Sequence, residues 1–388
     1  MKKTGWNRFI EEKILSARNQ SQYRSLRTLD TLQPGYVLLE GERYLNLSSN
    51  DYLGLCSDPF TQEEARLLAE ILPFGAGASR LITGTLAIHT ELEKLLREWK
   101  RTEAALVFPT GFQTNVGVIQ ALTGKADVIF SDRLNHASII DGCLLSGARL
   151  IRYQHCDMED LNRQLQSQTA RRRVIISDAV FSMDGDLAPL KELNRLAQEY
   201  EALLIVDEAH ATGVLGKDGA GLWSHFKLKW DEHVILMGTL SKAIGVQGGF
   251  ICASQNIVDF LVNYCRSFIY TTALSPFQAA IAHYHISRIR SEPERLKNLK
   301  NAMRTMRQEL GGQGILVSND PTPIIPIITG DSRQAVEMAR HLEEQKILGL
   351  PIRPPTVPEG SARLRISVSA VHDPDELKRA AQVIGERM

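Results

Sequence analysis

The sequence predicts an α/β fold, with a large domain on a mostly parallel sheet and a smaller α+β domain after it. Three observations carry this reading. Seven short apolar runs recur between residues 104 and 253, with helical patterns between them. Strands joined through helices need crossover connections, so they lie parallel and are covered on both faces. Polar and titratable residues gather just after these runs, where open α/β sheets bind their ligands. Past about Pro276 the chain becomes helical and charge-rich before short strands return.

The first part, residues 1–45, reads as a polar, mostly helical arm interrupted at Pro34-Gly35. Residues 46–280 form the large domain. Its strands are predicted at Ala104–Phe108, Val128–Ser131, Arg149–Tyr153, Val174–Ser177, Leu203–Asp207, Val234–Met237 and Phe250–Ala253. The clearest helix is Glu91–Lys100, with Leu92, Leu95, Leu96 and Trp99 on one face and Glu93 and Arg97 outside. Residues 281–388 form the smaller domain. It has a helical stretch over 281–312, strands near Ile324–Ile328 and Ala362–Ser369, and helices between and after them.

Charge and cysteine usage narrow the function classes. Forty-five basic residues balance 45 acidic ones, which removes the usual electrostatic case for nucleic acid or an anionic membrane as partner. The densest basic run, Arg171-Arg172-Arg173, reads as a solvated turn before a strand. Five scattered cysteines with no CxxC pair fit reduced thiols and a cytoplasmic setting. After Lys2 and Lys3, polar residues interrupt every apolar stretch, so no signal peptide reads there.

Lys242 stands in Gly238-Thr239-Leu240-Ser241-Lys242-Ala243-Ile244-Gly245, directly after an apolar strand. Asp207 ends another such strand. An amine and a carboxylate at matching depth suit an aldehyde cofactor: the amine holds it as a Schiff base and the carboxylate keeps a ring nitrogen protonated. Such a lysine needs a depressed pKa. Read alone, Asp207-Glu208-Ala209-His210 is a helicase box. That reading requires a GxxxxGK[ST] loop, and neither Gly124-Lys125 nor Gly216-Lys217 supplies one. His136 follows a strand by a few residues, and a flat imidazole there can stack on a ring. His210 is placed to hydrogen-bond the cofactor's phenolic oxygen. Gly111-Phe112 opens a helix whose free N–H groups suit a phosphate, with Thr239 adding a hydroxyl. Arg363 and Arg365 share one face of a strand, either exposed or set as a carboxylate clamp. Gly75–Arg80 with Gly84 forms a backbone-rich loop, a turn or a substrate contact.

Taken together, these motifs resemble the α-oxoamine synthases, pyridoxal-phosphate enzymes of the aspartate-aminotransferase fold type. The resemblance runs through Leu47–Leu55, Asp132–Ser138, Phe181–Asp186, Asp207–Gly213 and Thr239–Gly249. Ile352–Pro358 looks most like the branch of biotin synthesis that joins L-alanine to a pimeloyl thioester, as pimeloyl-CoA or pimeloyl-acyl carrier protein. The resemblance implies pyridoxal 5'-phosphate as cofactor, with Lys242 as Schiff-base lysine, Asp207 as partner of the ring nitrogen and His136 stacked on the ring. It further places Ser182 and His210 near the phenolic oxygen, and Gly111, Phe112 and Thr239 around the ring and phosphate. Thr272 would reach the phosphate of a neighbouring subunit, which implies a homodimer with shared sites. Asn50, His136, Thr356, Arg365 and Arg24 would contact substrate. One departure stands at Asp178, where many relatives carry glutamate. Competing expectations are a glycine-using member, of the 2-amino-3-ketobutyrate ligase or 5-aminolevulinate synthase type, and a cofactor-sensing regulator. The regulator needs a DNA-binding domain for which the arm is too short.

Overall fold

The computed structural model describes residues 4–20 and 22–387. Lys2 and Lys3 lie outside the described residues. After an N-terminal helix, Gly5–Asn19, come three short strands, β1 (Thr31–Gln33), β2 (Tyr36–Leu39) and β3 (Glu42–Asn46). The reading of residues 1–45 as a mostly helical arm is corrected here: only its first half is helical. Pro34-Gly35 is a hairpin turn, with Gln33 paired to Tyr36 and Gly35 at φ 77°. Proline before a left-handed glycine is the chemistry of a type II turn. Glu40-Gly41 makes the second turn, both residues at positive φ, with Leu39 paired to Glu42. That geometry matches the twist of a hairpin. The buried side chains of Val37, Leu39 and Tyr44 then form a small apolar cluster of their own.

Seven strands make the central sheet: β4 (Ala104–Phe108), β5 (Val128–Asp132), β6 (Arg149–Tyr153), β7 (Arg173–Asp178), β8 (Leu203–Asp207), β9 (Val234–Thr239) and β10 (Gly249–Ala253). Their order is β4-β10-β9-β8-β7-β5-β6. Pairings from β9 through β8, β7 and β5 to β6 are parallel, and β10 alone runs antiparallel to both its neighbours. Six of these strands are buried on both faces and read as apolar runs, which is why they were visible in the sequence; β6, at the edge, leaves Arg149 and Arg152 exposed. Two apolar clusters line the faces, one holding Phe130, Leu204 and Leu236, the other Phe108, Ile176 and Ile235.

Helix Pro276–Ser291 runs across the expected boundary at 280 and packs against helix Ala87–Lys100. The chain breaks instead at Glu292, where Pro293 starts helix Pro293–Gly312. Beyond lie β11 (Ile324–Gly330), β12 (Ile347–Leu348), β13 (Leu350–Ile352), β14 (Ala362–Ser367) and helices Ser332–Glu344 and Pro374–Gly385. Strands β11, β14 and β13 form an antiparallel sheet, while β12 joins the N-terminal hairpin by pairing with β3. The arm is therefore docked on the C-terminal part. Arg27 makes a bidentate ion pair with Glu343 at 2.7 and 2.6 Å. Among the described residues no helix is long and apolar enough to cross a membrane.

Candidate active site

A cavity of about 280 Å³ opens at the carboxyl ends of the parallel strands. Residues from four strand ends and one helix start line it, including Lys242, Asp207, Asp178, His136, Gly111 and Thr239. Parallel register explains the convergence: Asp178 sits opposite Asp207, and Asp207 opposite Met237. A wider groove of about 590 Å³ between the arm and helix Ser332–Glu344 has neither lysine nor histidine in its lining.

The loop after β9 holds Lys242 by its backbone. Leu240 N donates to Gly248 O, Gly245 N to Lys242 O, and the Thr239 hydroxyl to Gly248 O at 2.9 Å. Gly213, at φ 77°, lets this loop close in: a Cβ there would stand 2.6 Å from that of Ala243. Burial pulls the Lys242 pKa down to about 8, with Arg365 adding to it and Asp207 and Asp178 opposing.

Both oxygens of Asp207 are occupied. Asn115 Nδ2 donates to one at 2.7 Å and Ala209 N to the other at 2.9 Å. Asn115 lies one turn into helix Gly111–Leu122 and also donates to the Ser138 hydroxyl at 2.9 Å. The neighbouring Glu208 points away from the cavity's chemistry. It is fully buried, paired with Lys100 at 2.6 Å, and accepts Trp223 N at 2.8 Å. This pairing removes what was left of the helicase reading, because the second acid is spent inside the core.

His136 caps helix Ala137–Ser146, and its Nδ1 lies 2.8 Å from the Ser138 hydroxyl. Its backbone N donates to Asp178 Oδ2 at 2.8 Å. The shorter side chain at 178 thus still reaches the site and anchors the histidine's backbone. Burial, with the charge of Asp207 beside it, pushes the Asp178 carboxyl well above its usual range. Burial also lowers the His136 pKa, against the pull of Asp207.

A second group, with Arg365 and Asn50, lies outside the cavity lining and ties the C-terminal part to the loop that carries Ser182. Arg365 is buried on β14 and donates to Ser182 O at 2.6 Å, Ser367 Oγ at 2.8 Å and Asn50 Oδ1 at 3.1 Å. Arg363 is buried too, bonded to Met183 O at 3.1 Å and paired with Asp184. The exposed-face alternative for these arginines is therefore wrong: both reach across to the loop that carries Ser182. His210 lines the cavity, with Nδ1 2.7 Å from the Tyr52 hydroxyl.

At the opposite wall, Thr110 caps the helix by accepting Gln113 N at 3.1 Å. The first N–H groups, on Gly111 and Phe112, face no intrahelical acceptor. Gly249 permits the fit, since a Cβ there would lie 2.7 Å from the Gly111 backbone. Of the remaining expected residues, Thr272 is exposed and outside the cavity lining. Arg24 and Thr356 meet each other at 2.9 Å, also outside it. The expected loop over 75–84 is a loop only in its first half, since Arg80–Gly84 form a short π-helix, and Arg80 is committed to Glu93 at 2.9 and 3.1 Å.

This site has known counterparts. Residues 42–384 match the family Aminotransferase class I and II. An 8-amino-7-oxononanoate synthase of Lysinibacillus sphaericus is 46% identical over 359 residues, 92% of each chain. Another, of Alkalilimnicola ehrlichii, is 42% identical and covers 98% of this chain and 97% of its own. The chain belongs to the class I and II aminotransferase family, in its 8-amino-7-oxononanoate synthase branch. Serine palmitoyltransferase from S. paucimobilis, solved with a bound pyridoxal phosphate–myriocin adduct, superposes with a TM-score of 0.92. It is 27% identical, and the match covers 99% of this chain and 98% of that one.

Members of this family fold use pyridoxal phosphate, and that is the cofactor here. The residues present fit it. A lysine with a depressed pKa, a carboxylate fixed by two donors, an imidazole and an unspent helix start surround one cavity. Sequence reasoning had missed Asn115, Ser138, Ser241 and Tyr52. All but Tyr52 line the cavity. Their types are common in loops and helices, and only the tertiary contacts mark them. Tyr52 alone had a usable signal, standing in the Asn50–Leu55 motif beside Asn50.

Proposed function

We propose that the chain joins L-alanine to a pimeloyl thioester, pimeloyl-CoA or pimeloyl-acyl carrier protein, to give 8-amino-7-oxononanoate for biotin synthesis in the cytoplasm. Alanine, the thioester and one proton yield the amino ketone, carbon dioxide and the free thiol. The supporting observation is Lys242 and Asp207 lining one cavity in a chain of the 8-amino-7-oxononanoate synthase branch.

Pyridoxal phosphate, when bound, supplies an aldehyde carbon for amines and a ring that stabilises negative charge at the amino acid α-carbon. Lys242 would hold it covalently through Nζ, and the same nitrogen as free amine would take the substrate's α-proton. Its depressed pKa keeps free amine available near neutrality. Asp207, fixed by Asn115 and Ala209 N–H, keeps a partner ring nitrogen protonated. His136 would cover the ring face, Ser182 and His210 would stand at its phenolic edge, and Gly111, Phe112 and Thr239 would take the phosphate end. Arg365 and Asn50 hold the amino-acid carboxylate, and Arg24 with Thr356 meets the acyl donor. Thr272, exposed in the single chain, completes the phosphate site of a second copy in a homodimer.

Product formation decides between readings. The purified holoenzyme is given L-alanine or glycine with pimeloyl-CoA, pimeloyl-acyl carrier protein or acetyl-CoA. Thiol release with alanine and a pimeloyl donor is expected; release only with glycine overturns the assignment.

A further inference from the structure

Tyr52 is fully buried, and no role in the site has been assigned to it. Its hydroxyl lies 2.7 Å from His210 Nδ1 and 3.1 Å from Asn50 Oδ1. A phenol carries one proton, so it donates to only one of the two. Asn50 Oδ1 already accepts Arg365 Nη2 at 3.1 Å, while the same guanidinium nitrogen stands 3.5 Å from the phenol oxygen. That positive charge makes the phenol a better donor, acting against the upward push of burial on its pKa. The closer acceptor is the imidazole nitrogen.

His210 itself is kept neutral. Burial, with the charges of Lys242 and Arg365 and the neighbouring His136, drives its pKa well below the usual value. A neutral imidazole has a single N–H. If Nδ1 accepts from Tyr52, the proton resides on Nε2. That nitrogen has no hydrogen-bond partner among the described residues, and the ring lines the cavity.

We propose that Tyr52 is a positioning residue that holds His210 in its Nε2–H tautomer, so the ring offers the cofactor cavity a hydrogen-bond donor. The same hydroxyl sits beside Asn50 and Arg365, linking the residues proposed for substrate carboxylate to the residue proposed for the cofactor's phenolic edge. The significance of the tautomer rests on the functional reading above, but its existence is read in apoprotein with neither cofactor nor substrate. Failure here is thus distinct from failure of the assigned reaction.

The test is nitrogen-15 NMR of histidine-labelled apoprotein, with His210 identified by the signals lost in His210→Gln. Wild type is expected to show His210 protonated at Nε2 and bare at Nδ1. In Tyr52→Phe the same residue should shift to a mixture of tautomers while the His136 signals stay in place. In the holoenzyme, Tyr52→Phe should move the pH midpoint of the bound cofactor's visible absorbance and lower kcat more than it raises KM. A wild-type His210 protonated at Nδ1 overturns the proposal, as does a folded Tyr52→Phe with unchanged His210 signals. Should that variant fail to fold, the wild-type spectrum alone decides.

Discussion

At Lys242 the competing effects can be ordered. Two carboxylates, on Asp207 and Asp178, favour the ammonium, yet burial outweighs them and the pKa falls to about 8. Below that value the amine is charged and inert as a nucleophile; above it the free amine dominates. The rate at which apoprotein takes up pyridoxal phosphate covalently should therefore climb as pH rises through about 8 and then level off. Stopped-flow absorbance measures it, and a rate equal on both sides of that value contradicts the account. Asp178 shows what one residue in a sequence conceals. Nothing local marks it as part of the site, but its position opposite Asp207 and its bond to His136 N keep it in the cavity.

Elements place these residues, and they differ in how legible they were. Buried parallel strands announce themselves as apolar runs, so the positions of Lys242 and Asp207 at strand ends followed from the sequence. The N-terminal hairpins did not announce themselves, because Glu40-Gly41 is not a usual turn pair and Pro34-Gly35 looks equally like a helix break. Asn115 was invisible for another reason: it meets Asp207 across 92 residues of sequence. On β14 the alternation of arginine with apolar residues was plain, but which face was covered depended on the 182–184 loop arriving from elsewhere. Beneath β8, Lys100 and Glu208 form a pair with side chains 1% and 0% exposed. Removing one partner strands a buried charge, at a cost of about 3–5 kcal/mol. Lys100→Met should accordingly lower the denaturation midpoint well beyond the effect of Glu208→Gln with Lys100→Met combined. Equal losses in the single and double variants would show that the pair is not coupled.

Across the whole molecule, the cavity is lined by the central-sheet region, and the C-terminal part reaches it through one bond, from Arg365 to the lining residue Ser182. Sequence patterning separated these regions, but the β3–β12 pairing and the Arg27–Glu343 ion pair that tie the arm to the C-terminal part are long-range and left no local trace. The proposed homodimer follows the same logic, since Thr272 lies outside its own cavity. Mixing inactive Lys242→Ala with Thr272→Ala subunits tests it. Hybrid dimers should gather the Lys242→Ala and Thr272→Ala changes into one site and leave the other intact, recovering activity above the Thr272→Ala level. Activities that simply average would reject sharing. The account as a whole depends on covalent attachment at one nitrogen. Borohydride reduction of the holoenzyme followed by peptide mass spectrometry reads it directly. A pyridoxyl adduct on the Lys242 peptide is the predicted result, and an adduct elsewhere, or none in a protein that binds the cofactor, would contradict it.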